Sequence, residues 1–164
     1  MKKIYLLLLS SLLYAGTLRA QVTDSMRYQL DRVFAPLDKS QIPTRLLDAY
    51  VSVSGPNTYK LAELAKNQPF DIPASRFLRP WSGRLAPLEG LRLRRILSGM
   101  THAARHGEVF HLWWHPHNFG ANLPQNMAVL RQIAEHFRAL QRQYGFRTQT
   151  MAEMADELAQ LAAR

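Results

Sequence analysis

The run Val109-Phe110-His111-Leu112-Trp113-Trp114-His115, closed by Pro116 and preceded by Gly107, constrains the fold more than any other part of the chain. It is nearly continuous in apolar and aromatic residues and too short for a buried helix. That combination marks a strand covered on both faces, as in a parallel sheet. Its flanks agree. Upstream, Leu88, Leu91, Ile96, Leu97, Met100 and Ala104 recur at helical spacing up to Gly107, a residue suited to a helix C-terminus. Downstream, Pro124 suits a first helical turn, and Met127, Leu130, Ile133, Ala134, Phe137, Leu140 and Tyr144 share one side until Gly145. Phe146 to Gln149 then allows a second strand, and Thr150-x-x-Glu153 is a capping box opening a last helix with Met151, Met154, Leu158 and Leu161 inward.

The order helix, strand, helix, strand, helix predicts an α/β architecture with parallel strands and crossover helices. Two strands alone would leave both sheet edges uncovered, so a homo-oligomer that covers them is a further expectation. Upstream the pattern is irregular and mostly helix or loop. Residues 24–37 have helical spacing behind Asp24, a second short helix is expected over 45–50, and Gly55-Pro56-Asn57 is a turn. The proline-rich stretch 67–87 reads as structured loop.

Residues 1–20 fit a secretory signal peptide. Lys2 and Lys3 precede an apolar core from Ile4 to Leu13, and Ala20 offers a cleavage point. An uncleaved anchor is the alternative, although the apolar run is shorter than the roughly 20 residues of a spanning helix. The expectation is a secreted or periplasmic protein with no stable membrane span after cleavage. The 164-residue chain has a net charge of +9 and no cysteine. The missing thiols exclude disulfide scaffolds and Cys-ligated metal sites. Removing Lys2, Lys3 and Arg19 still leaves a basic protein, with seven arginines and only Glu89 as an acid between Arg76 and Arg105. For an exported chain that excess points to cell-surface polymers rather than nucleic acid; a solvated helix face is the alternative.

The richest chemistry lies in His111-Leu-Trp-Trp-His115-Pro-His117-Asn118. Active groups of parallel α/β folds sit at strand carboxyl ends, which is where His115 falls. A histidine there can act as general acid or base, or ligate a metal. His111 reads instead as a hydrogen-bonded core residue, and His117 is open to either role. His102 and His106, one helical turn apart, could chelate zinc, but Arg105 between them opposes a cation, and a solvated helix end is the preferred reading. Arg79 and Trp81 suit stacking against sugar or anionic groups, whereas Arg92 and Arg95 are expected to face solvent or to pair with acids.

Five segments together resemble the C-terminal part of the polysaccharide deacetylase family, the chitooligosaccharide-deacetylase-like enzymes: RLLDAY…SGPNTY (45–59), IPASRFLRPWS (72–82), LEGLRLRRILSGM (88–100), VFHLWWHPHNFG (109–120) and YGFRTQTMAEMA (144–155). The resemblance covers about residues 44–164 behind a leader segment, 21–43. It implies a partial (β/α)-barrel-like section and metal-dependent hydrolysis of N- or O-acetyl groups on sugars. It also implies His115 as general acid, with Trp113, His117, Asn118, Arg79 and Trp81 lining the site for an acetylated polysaccharide or oligosaccharide. The family's divalent, zinc-like metal is implied as well, but its ligands are not found: the chain has no adjacent pair of aspartates. A hydrolase with impaired or absent activity is therefore expected, and a non-catalytic polysaccharide-binding α/β module is the alternative.

Overall fold

A computed structural model describes residues 4–9, Asp48, Tyr50 and 54–163. The cleavage point at Ala20, the leader 21–43 and the helix expected over 24–37 lie outside the described residues. The described elements are β1 (Ile4–Leu9), α1 (Leu61–Leu64), β2 (Arg76–Phe77), α2 (Glu89–His106), β3 (Val109–Trp113), α3 (Leu123–Tyr144), β4 (Phe146–Gln149) and α4 (Met151–Ala162), with 3₁₀ turns over Gly83–Leu88 and Pro116–Phe119. The architecture is mixed α/β. All strand pairs are parallel and their order is β2-β3-β1-β4.

The C-terminal half follows from local chemistry. Gly107 and Gly145 end α2 and α3 at φ +71°, a left-handed geometry that a side chain would strain. At α4, Thr150 Oγ1 accepts from the Glu153 amide at 3.3 Å, and the Glu153 carboxylate accepts from the Thr150 amide at 2.7 Å. The expected box is therefore closed in both directions.

Alternation along β3 separates two cores. Phe110 and Leu112 join Ile96, Met100 and Ala103 of α2 with Val129, Ile133 and Leu140 of α3. Val109, on the other face, packs with Leu64 of α1 and Met154 and Leu158 of α4. Between α2 and α3, Thr101 Oγ1 donates to the Leu97 carbonyl at 2.9 Å and accepts from His136 Nε2 at 2.9 Å. Burial holds His136 below its usual imidazole range, offset in part by a backbone hydrogen bond.

Three features depart from the sequence expectations. First, the sheet gains a strand, β1, that joins β3 to β4, with Tyr5 opposite Val109 and Ile4 opposite Phe146. Among the described residues the sheet therefore has four strands, edged by β2 and β4, where the pattern gave two. A chain cut after Ala20 would lose β1. Second, the proline-rich stretch contributes the two-residue strand β2, in register with Leu112 and Trp113. Third, the stripe expected for α2 is buried at Ile96, Met100 and Ala104, with Leu97 packed against it, but not at its N-terminal end. Leu88 and Leu91 are 39% and 42% exposed, while Arg92 and Arg95 are buried. Of the two fates expected for these arginines, pairing with acids holds: Arg92 binds Glu89 and the Arg79 carbonyl, and Arg95 binds Asp48 at 2.6 Å. Paired in this way, an aliphatic stem can be buried without stranding its charge.

Candidate functional site

The carboxyl end of β3 gathers an aromatic cluster. Trp113 ends the strand, and Pro116 opens a 3₁₀ turn, leaving His115 as the cap residue between them in extended geometry. The Asn118 amide donates to the His115 carbonyl at 2.9 Å, and that of Gly120 to the His117 carbonyl at 3.0 Å. This turn lays the His117 ring on that of His115, with centroids 4.9 Å apart and planes 15° off parallel. Trp113 meets His115 edge-on at 4.8 Å. Phe77, from the neighbouring β2, lies 4.6 Å from Trp113 and 6.1 Å from His115. His115, His117 and Phe77 are exposed and Trp113 is half-buried. The result is a solvent-facing platform of four rings.

The remaining expected site residues form a neighbouring cluster rather than the platform itself. Arg79 and Asn118 line a hollow beside Asn126, too narrow to admit water. Asn126 is 5% exposed and organises this corner. Its Oδ1 accepts from the Trp81 amide at 2.7 Å, while its Nδ2 donates to the carbonyls of Ala121 at 2.8 Å and Asn118 at 3.3 Å. Trp81 is held here by its backbone, and Arg79 offers its carbonyl to Arg92 at 2.8 Å. His115, Trp113 and His117 thus come together, whereas Asn118, Arg79 and Trp81 stand behind them as support.

Sequence reasoning missed Phe77, Asn126 and Ser75. Phe77 carries no helical or strand periodicity of its own, and Ser75 sits in the same irregular stretch. Asn126 had one readable signal, a polar residue three positions before Val129 on the inward side of α3. Ser75 exchanges two bonds with His111: its amide donates to the His111 carbonyl at 2.8 Å, and its Oγ accepts from the His111 amide at 2.9 Å.

His111 is the buried core histidine that the sequence suggested. Its Nδ1 donates to the Ile72 carbonyl at 3.1 Å, which fixes the proton on that nitrogen. Burial pushes its pKa below the ordinary value, with backbone hydrogen bonds at Ile72 and Pro73 opposing.

The pair on α2 behaves as a helix end. His102 and His106 stack with centroids 4.0 Å apart, His106 Nδ1 donates to the His102 carbonyl at 2.8 Å, and His102 Nε2 lies 3.6 Å from Glu108. No three of His, Asp or Glu come close enough to hold a metal ion among the described residues. The metal that the resemblance implies therefore has no donor set there, and no chemical step is routed through one. No helix among the described residues is long and apolar enough to cross a membrane. Compared with protein-family models, curated proteins and solved structures, the chain matches none of them.

Proposed function

We propose that this chain is a polysaccharide-deacetylase-like protein, exported by its N-terminal segment, whose residues 44–164 represent the closing part of a (β/α)-barrel-like fold. One observation supports the reading most: a parallel strand delivers His115 to its carboxyl end inside an exposed platform of Phe77, Trp113 and His117. Aromatic faces carry negative potential and accept the C–H faces of a pyranose ring. An imidazole beside a bound sugar can hand over a proton near neutral pH. In acetyl hydrolysis, water oxygen bonds to the carbonyl carbon and the carbon–nitrogen or carbon–oxygen bond to the sugar breaks. The His115 proton goes to the departing atom, one proton of the attacking water restores His115, the other passes to solvent, and acetate leaves. This chain's own share is binding and protonation.

A second reading, a polysaccharide-binding module without turnover, is favoured by the exposed stack of His115 and His117 beside Phe77 and Trp113, which suits a sugar ring whether or not chemistry follows. One experiment separates the two: acetate release from chitooligosaccharides by the full chain, measured beside tryptophan fluorescence on binding. Release that is lost in His115→Ala while binding persists supports the hydrolase. Binding without release supports the module, and neither binding nor release refutes both.

A further inference from the structure

On the opposite face of the sheet from Phe77, β2 sends Arg76 toward α2, where a cleft of about 330 Å³ is lined by Tyr50, Arg76, Arg94, Arg95, Ser98 and His102 among others. Two of these guanidiniums share one acid. Arg95 donates to Asp48 at 2.6 Å and Arg76 to the same carboxylate at 3.5 Å, with side chains 5% and 11% exposed. Ser54 also donates to Asp48, from its amide at 2.7 Å and its hydroxyl at 2.8 Å. The buried Nε of both Arg76 and Arg95 finds no hydrogen-bond partner among the described residues. Burial and the nearby Arg95 charge lower the Arg76 pKa, with Asp48 and Tyr59 opposing, and among the described residues the two guanidiniums have the one carboxylate of Asp48 between them. Arg94, exposed at the rim, makes no ion pair among the described residues, and His102 lies 3.6 Å from Glu108.

We infer that this cleft is a binding site for an oxyanion, the carboxylate of an acidic sugar or a phosphate group, held by Arg94 with Ser98 and drawn in by the excess charge of Arg76 and Arg95. Low-dielectric walls strengthen such attraction over that at an open surface. The site is independent of the platform at His115, because Arg76 and Phe77 project to opposite faces of the sheet.

The test is calorimetric titration of the full chain with inorganic phosphate, with galacturonate and, as a neutral control, with galactose, all at low ionic strength. Saturable 1:1 binding of an anion is expected, with none for galactose. Arg94→Gln should weaken it about tenfold, the scale of one hydrogen bond to a charged group. Arg84→Gln, an exposed arginine outside the cleft, should leave it unchanged. Tighter binding of phosphate or of galacturonate identifies the source of the anion. No saturation at concentrations of order 10 mM, or equal losses in the two variants, overturns the site.

Discussion

Gly99 lies at the middle of α2, where a Cβ would stand 2.7 Å from Phe110 Cε2, 3.4 Å from Cδ2 and 3.5 Å from Cζ. The ring cannot simply step aside, since Phe110 is fully buried in a cluster with Ile96, Met100, Leu112 and Ile133. Alanine at 99 therefore carries two opposing terms. Helix propensity favours it by about 1 kcal/mol, while forcing an extra carbon into a packed core disfavours it by about 1–3 kcal/mol. A contact well inside van der Waals range on a rigid ring belongs at the upper end. The expected net loss for Gly99→Ala is about 1–2 kcal/mol, or roughly 2–8 °C in Tm for a chain of this size. Calorimetric melting of wild type, Gly99→Ala, Phe110→Leu and the double variant completes a cycle. Phe110→Leu should be destabilising alone, but Gly99→Ala in that background should be neutral or stabilising, a coupling of at least about 1 kcal/mol. A rise in Tm for Gly99→Ala in the wild-type background, with no coupling to Phe110, would refute the close helix–strand contact on which the placement of β3 depends.

Two further outcomes can be measured directly. Asn126→Ala should lower stability to denaturant by about 2–3 kcal/mol, because it strands the Trp81 amide and two carbonyls in a closed corner; a loss below about 0.5 kcal/mol would contradict that role. Burial alone would raise the Asp48 carboxyl, but hydrogen bonds from Ser54 and Arg95 and the Arg95 charge bring it from 3.8 down to about 2. A carboxyl lowered in this way stabilises the fold above pH 3.8 and gives up that contribution as pH falls toward about 2. Asp48→Asn should therefore flatten the stability profile across that window, and an unchanged acid slope would show that the pairing contributes nothing.

What the sequence made legible was chemistry local enough to be written in a few consecutive residues. The two glycines ending α2 and α3, the Thr150–Glu153 box and the density of apolar residues in β3 each specify their geometry within a turn or two. So did the position of His115, which needs only a strand and the proline after it. Contacts made at long range were hidden. Arg95 looks solvent-bound until Asp48, 47 positions away, supplies its counter-charge, and Phe77 looks incidental until β2 sets it against Trp113. The apolar segment at Ile4–Leu9 is the sharpest case, because a leader and a covered strand need the same composition. Its strand partners lie more than a hundred positions away.

That last pairing has a kinetic side. β1 precedes the other described elements in the chain, and the strands it joins are completed only after α2 and then α3 have been synthesised. Contacts of such large sequence separation close slowly, since chain entropy must be lost before they form. From the synthesis of β1 until β3 is complete, this apolar segment therefore waits without its strand partners.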